Sequence, residues 1–201
     1  MERQTGINSE INITPEDLAD KYNQEVADFF ESKVIKDIEI KTFDSKSELV
    51  DYRKKFYQGD KEPPDYLVAF SPQKIIAILG PDVMPSDEAG PGSQRFNKVM
   101  KHELAHKYIE QLGGRVPGWL SEGTCCHVAN QSKGNVKLEE INLKLLNELS
   151  NTQDGRKYVV GKNMVDEIVG NYGKEKLFKL LKMTDKEELY AELKRMFSWL
   201  I

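Results

Sequence analysis

The sequence contains few cysteines and few histidines. Its 201 residues include only two cysteines, the adjacent Cys125 and Cys126, and three histidines. Neighbouring cysteines cannot link distant loops, so the chain lacks the disulfide framework of a small secreted domain. This cysteine usage favours a reducing compartment, and we expect a cytoplasmic protein.

Long hydrophobic runs are also absent. No apolar stretch approaches the roughly 20 residues that a membrane-spanning helix needs. The opening residues, Met-Glu-Arg-Gln-Thr-Gly, lead into polar sequence without an apolar signal region. We therefore expect neither a membrane partner nor a secretory leader.

Positive charge is not in excess. Lysine and arginine number 29 against 33 aspartates and glutamates, which gives a formal net charge of −4. This balance offers no basic surface for nucleic acid, which we exclude as a partner. The hydrophobic content of 39% is enough for a core and excludes a wholly disordered chain. The length predicts one compact domain, residues 1–201.

The first part of the chain, about residues 14–94, mixes helix and strand patterns. Thr14 is followed by a proline and two acidic residues, which is an N-cap signal for a helix to about Ser32. An alternating strand comes next, and residues 66–70 and 75–79 are predicted to be the strands of a hairpin. This part is predicted to be an α/β subdomain.

The second part, about residues 95–201, has helical patterns throughout. A stretch rich in proline and glycine, residues 81–94, precedes it and is predicted to be a loop. Helices are expected at about 96–112, 119–130, 137–150, 157–172 and 174–183, and from Thr184 to the C-terminus. The fold class is therefore α+β, with a small N-terminal sheet followed by an all-helical lobe and a cleft near residue 94.

The strongest chemical signal is the sequence His-Glu-Leu-Ala-His at residues 102–106. Four residues are slightly more than one helical turn, so His102 and His106 project from the same face of a helix. Two imidazoles at this spacing can occupy two positions of a tetrahedral zinc site. Glu103 lies beside them and can accept a proton from water without binding the metal.

Two residues downstream compete as the third ligand. Glu122 follows a Gly/Pro turn and comes 16 residues after His106, enough for a second helix to return beside the metal. His127 lies five residues further, about 140° around the same helix, so both cannot face one ion. Two histidines and one carboxylate are typical of a catalytic zinc site with an open position. We therefore expect Glu122 to be the ligand and keep His127 as the alternative.

These motifs resemble those of the gluzincin zinc peptidases. Residues 102–106 followed by Trp-Leu-Ser-Glu-Gly at 119–123 are similar to the peptidase MA-like group related to the aminopeptidase N family. Residues 158–162, Tyr-Val-Val-Gly-Lys, and 171–177, Asn-Tyr-Gly-Lys-Glu-Lys-Leu, look like the tyrosine-bearing helix and the turn after it. The resemblance spans about residues 66–183.

The resemblance implies a thermolysin-like catalytic domain. In such a domain an edge strand above the active-site helix holds the substrate in extended form, and residues 75–79 are the candidate strand. Tyr158 matches the tyrosine that stabilises the oxyanion in the aminopeptidase N family. It also opens a predicted helix after the turn at 151–155, from where it can project into a cleft. Packing of its ring in the helical lobe is the alternative.

One position departs from the family pattern. The residue four places after the glutamate ligand is often acidic in these families and can brace a zinc-binding histidine, but here it is Cys126. A thiol is a weak hydrogen-bond partner. Packing of both cysteines as small apolar residues is the preferred interpretation, and a zinc site sensitive to oxidation is the alternative.

The sequence thus predicts a zinc-dependent metallopeptidase that hydrolyses peptide or protein substrates. His102, His106 and Glu122 are the expected Zn²⁺ ligands, Glu103 the general base and Tyr158 the oxyanion donor. A zincin-fold module that binds zinc but is catalytically silent is the main rival. The other is a metal-free helical interaction protein in which the histidines only pack.

Overall fold

The computed structural model describes residues 14–57, 63–86, 92–131, 134, 136–150 and 154–200. The regular elements are α1 (Pro15–Phe29), β1 (Glu39–Phe43), α2 (Lys46–Arg53), β2 (Ala69–Phe70), β3 (Ile75–Leu79), α3 (Gly92–Gln111), α4 (Gly118–Val128), a 3₁₀ turn (Leu138–Glu140), α5 (Leu143–Glu148), α6 (Arg156–Tyr172), α7 (Lys174–Leu181) and α8 (Lys186–Met196). The predicted α+β class is confirmed. No helix among these residues is both long and apolar enough to cross a membrane.

Helix α1 begins where the sequence predicts and ends earlier than predicted. Helix α1 begins at the predicted N-cap, Thr14. The structure adds a capping box there, since the Thr14 hydroxyl accepts the Asp17 N–H and the Asp17 carboxylate accepts the Thr14 N–H. This helix ends at Phe29, earlier than predicted, because Glu31 adopts a left-handed φ of 52°.

Two other predicted helices are also shorter. The helix expected at 137–150 is divided at Ile141, which is extended, because the Asn142 side chain accepts the Leu145 N–H and caps a new helix. The last helix starts from an Asp185 cap and ends at Met196, so the prediction that it reaches the C-terminus is wrong.

The predicted loop at residues 81–94 lies only partly within the described residues. Residues 81–86 include a turn, whereas residues 87–91 lie outside the described part of the chain. Helix α3 already begins at Gly92, four residues before the predicted start.

The sheet has three strands in the order β1-β3-β2. β3 pairs in parallel with β1 and antiparallel with β2, where Ala69 is opposite Ile78. The prediction that residues 75–79 form the edge strand is therefore wrong, because β3 is central. Its apolar run, Ile-Ile-Ala-Ile-Leu, is buried on both faces, as suits a central strand. The edge strand in the hairpin is β2.

A glycine contact sets the distance between α4 and α6. A Cβ atom at Gly161 would lie 2.0 Å from the Trp119 carbonyl oxygen, and one at Gly123 would lie 2.2 Å from the Gly161 carbonyl carbon. The two helices can approach this closely only because both positions lack a side chain. Since Gly123 follows Glu122 and Gly161 is three residues after Tyr158, the crossing also determines how close those two residues lie.

Replacing Gly161 with alanine should destabilise the protein by about 1–3 kcal/mol, because the helices must separate to admit the methyl group. Gly170 lies on the same helix, and a Cβ atom there would have no heavy atom of the described residues within 4 Å. Gly170→Ala should instead stabilise the protein by about 0.5–1 kcal/mol through helix propensity. Urea unfolding of both variants measures these changes. If Gly161→Ala were as stable as Gly170→Ala, the contact between α4 and α6 at Gly161 would not be a close one.

Candidate active site

Helix α3 brings three of the predicted site residues to one position. His102 and His106 lie one turn apart, with their ring centroids 4.9 Å from each other. His102 and Glu103 are buried, 6% and 9% exposed, although both carry polar side chains. Buried polar groups need partners, and for the two histidines these come from α4 and the turn after it.

Glu122 on α4 faces both histidines through one oxygen. Its Oε2 lies 3.1 Å from His102 Nε2 and 3.4 Å from His106 Nε2. The chain reaches this position after a left-handed Gly113, with φ 74°, and the Pro117 cap that precedes α4. The structure therefore brings the three expected ligands together.

The other ring nitrogen of each histidine has its own oxygen partner. His102 Nδ1 is 3.1 Å from Gln131 Oε1, and His106 Nδ1 is 3.3 Å from Ser121 Oγ. An amide oxygen can only accept, so the proton of a neutral His102 is on Nδ1. The Nε2 lone pair then points toward the Glu122 carboxylate. A cation, either a proton or a metal ion, must lie between these two groups.

The separations of the Glu122 oxygen from the two histidine nitrogens can be compared with those around a tetrahedral metal ion such as zinc. Donor atoms about 2.05 Å from a tetrahedral zinc ion lie about 3.3 Å from one another. The distances of 3.1 and 3.4 Å from Glu122 Oε2 to the two Nε2 atoms agree with this separation. Two imidazoles and one carboxylate are also a frequent ligand set of catalytic zinc.

The pKa values follow from the same contacts. Burial opposes a charged His102, but hydrogen bonding to Cys126 and Glu122 outweighs it and raises the pKa of His102 to about 9. Burial likewise opposes charge on Glu122, yet the two histidines hold the pKa of this carboxyl well below its ordinary value. Glu122 is therefore ionised at neutral pH, as a metal ligand must be.

Lys157 holds the second oxygen of Glu122. Its Nζ lies 2.9 Å from Glu122 Oε1, and the two side chains are only 15% and 14% exposed. This ion pair joins α6 to α4 and fixes the orientation of the carboxylate. With Oε1 bound to Lys157, Oε2 alone faces the histidines.

Glu103 and Tyr158 lie on the cavity side of the histidines. One cavity of about 280 Å³ and a second of about 290 Å³ are both lined by His102, Glu103, Tyr158 and Ala69. The Tyr158 ring centroid is 6.1 Å from that of His102. Burial, together with the charge of Glu122, raises the pKa of the Tyr158 hydroxyl far above its ordinary value, so it remains an O–H donor at neutral pH.

Strand β2 borders the same cleft. The Leu79 N–H donates to the Val68 carbonyl, so the backbone groups of Ala69, the next residue, face away from β3. The hairpin turn is held on α3 by Lys107, a buried lysine whose Nζ donates to the Ser71 carbonyl. Among the described residues, no strand pairs with this side of β2.

His127 lies away from the site. Its Nδ1 is 2.7 Å from Asp166 Oδ1, and its ring packs 5.7 Å from Phe29. The structure therefore places the alternative third ligand in a different environment, paired with a carboxylate of α6.

Both cysteines lie against the histidines and are fully buried. Cys126 Sγ is 3.8 Å from His102 Nδ1, and Cys125 Sγ lies within 4.8 Å of a ring nitrogen of both His102 and His106. The group His102, His106 and Cys125 is thus a second candidate metal-binding set. Burial raises the pKa of the Cys125 thiol to about 11.

Sequence reasoning did not find Gln131, Lys157 or Cys125. Cys125 stands three residues after Glu122, and this helical spacing could have indicated it. Lys157 is next to Tyr158, but no motif or spacing in the sequence indicates that it contacts the site. Gln131 lies beyond the end of α4, where no periodicity applies.

No protein-family model, curated protein or solved structure matches this chain in comparisons with known proteins.

Proposed function

We propose that this protein is a zinc-dependent metallopeptidase of the gluzincin type with a thermolysin-like arrangement of its catalytic domain. The observation that carries this proposal is the approach of His102 Nε2 and His106 Nε2 to the same Glu122 oxygen, at 3.1 and 3.4 Å. Together these three residues would hold one Zn²⁺. A buried glutamate, Glu103, is their neighbour on α3 and lines both cavities.

A zinc ion held here would supply a Lewis acid that polarises the substrate carbonyl and acidifies water. Glu103 would accept the proton of the attacking water and then deliver it to the leaving amine. Glu103 follows His102 directly and lines both cavities, and in this proposal it would not bind the metal.

Tyr158 would stabilise the oxyanion that develops on the substrate carbonyl. It stays protonated at neutral pH because of its raised pKa, and it lines both cavities beside Glu103. A preformed donor at this oxygen lowers the barrier without reorganisation during the reaction.

The substrate would bind as an extended peptide along β2. The N–H and C=O groups of Ala69 face the cleft and can pair with a peptide backbone, as in strand addition to a sheet edge. Ala69 lines both cavities, so a peptide paired with it would lie beside Glu103 and Tyr158, which line the same cavities. Leu67, Val99 and Val159 give one cavity apolar walls.

Tyr158→Phe should lower the turnover of a cleaved peptide by about 10²–10³-fold, because it removes one oxyanion donor and keeps the ring. Zinc content and melting temperature should hardly change. Steady-state kinetics measures the effect, with Tyr66→Phe, on the neighbouring ring at 6.3 Å, as the control. Unchanged turnover would assign Tyr158 to packing alone.

The proximity of Cys125 to both histidines favours a second candidate function. If its thiolate joins His102, His106 and Glu122, four protein ligands surround the zinc ion and no position remains for water. Such a site is structural, and the protein would then be a catalytically silent zinc-binding module.

Substitution of zinc by Co²⁺ separates the two functions. A cobalt–thiolate bond gives a strong charge-transfer absorption in the near ultraviolet, which histidine and carboxylate ligands do not. The peptidase predicts a spectrum without this band, the same in wild type, Cys125→Ala and Cys126→Ala. A band that disappears only in Cys125→Ala would favour the silent module.

A further inference from the structure

Gln131 is a buried polar residue beyond the end of α4. It is 4% exposed, and its backbone N–H donates to the Cys126 carbonyl after a left-handed Asn130, with φ 48°. This turn directs the chain back toward α3. The position of the Gln131 backbone is therefore determined by the C-terminal end of the helix that carries Glu122.

The Gln131 side chain accepts two hydrogen bonds through Oε1. His102 Nδ1 lies 3.1 Å from this oxygen and Cys126 Sγ lies 3.4 Å from it. The thiol is a donor, and it supports the orientation in which the oxygen faces the imidazole. The reverse amide orientation would turn N–H donors toward both groups, which would place the imidazole proton on Nε2, facing Glu122.

We propose that Gln131 is the positioning residue that holds His102 in the tautomer with its proton on Nδ1 and its Nε2 lone pair free to bind a metal ion. This inference rests on the proposed function only in taking Zn²⁺ as the ion. Cys126 Sγ lies 3.8 Å from the same Nδ1, but a thiol is only a weak acceptor. Gln131 supplies the missing acceptor from outside the motif.

The acceptor that orients His102 affects the affinity of the site for a metal ion. Groups that orient a metal-binding histidine typically contribute 10–100-fold to metal affinity. A neutral amide does this without adding charge to a buried site. The thiol of Cys126 cannot replace it, because sulfur is a weak acceptor.

Two substitutions at Gln131 distinguish the loss of the hydrogen-bond acceptor from a change in side-chain volume. Gln131→Leu keeps a similar size and removes the acceptor, so the affinity for Zn²⁺ should fall by about 10–100-fold in competition with a chromophoric chelator. Gln131→Glu keeps an acceptor and should bind Zn²⁺ at least within a few-fold of wild type. Gln111→Leu, at an exposed position on α3, is the control and should bind as wild type does.

Nitrogen-15 NMR of the zinc-loaded wild type gives a second readout that requires no variant. The Nδ1 of His102 should show the chemical shift of a protonated ring nitrogen. A proton on Nε2 of His102, or wild-type affinity in Gln131→Leu, would overturn the inference. If the wild-type protein binds no Zn²⁺ at all, the proposed function fails. If the wild-type protein and Gln131→Leu bind Zn²⁺ equally well, only the role of Gln131 fails.

Discussion

Glu103→Gln should lower the rate of peptide hydrolysis by about 10²–10⁴-fold while zinc content stays at the wild-type level. Glutamine has nearly the shape of glutamate but cannot accept a proton from water at neutral pH. In the proposed mechanism Glu103 lies beside the ligands and does not bind the metal, so the loss should appear in turnover and not in metal binding.

Glu110→Gln is the matched control, because it removes a charge from the same helix at a more exposed position that is paired with Lys107. It should keep turnover within a few-fold of wild type. Near-normal turnover by a clean Glu103→Gln preparation would remove the general base and with it the proposed mechanism.

His106→Ala should abolish stoichiometric zinc binding, and His102→Ala should do the same. A zinc site with three protein ligands loses a third of them in either variant, and the remaining carboxylate keeps its partner Lys157. Glu122→Ala should weaken binding severely for the same reason. Elemental analysis of protein purified without a polyhistidine tag measures the content, expected to be one zinc per chain in wild type.

His127→Ala separates these ligands from the remaining histidine of the chain. His127 is paired with Asp166 at 2.7 Å, so the variant should retain its full zinc content. Loss of zinc in His127→Ala together with retention in Glu122→Ala would show that the ligand assignment is wrong.

The parts of the site that local geometry determines could be predicted from the sequence. The spacing of His102 and His106 fixes their common face within one helix. A Gly/Pro turn followed by a helix was enough to predict that Glu122 returns to them, and the structure places its carboxylate oxygen against both rings. The N-cap at Thr14 depends on four consecutive residues and could also be predicted.

The parts that depend on long-range pairing could not be predicted. An apolar run such as residues 75–79 indicates a strand, but the strand order that makes β3 central is set by partners far away in the sequence. Lys157 reaches Glu122 only because Gly123 and Gly161 allow α4 and α6 to approach closely. Gln131 contacts His102 through a turn without any periodic signal.

A peptide-library digest read by mass spectrometry tests the central claim most directly. Zinc-loaded protein without a tag is incubated with the library in the presence and absence of a chelator, and Glu103→Gln serves as the blank. The proposed peptidase predicts new peptide termini that disappear with the chelator, return on addition of Zn²⁺ and are absent with Glu103→Gln. A protein that binds one zinc ion per chain and produces no new termini above the blank would contradict it.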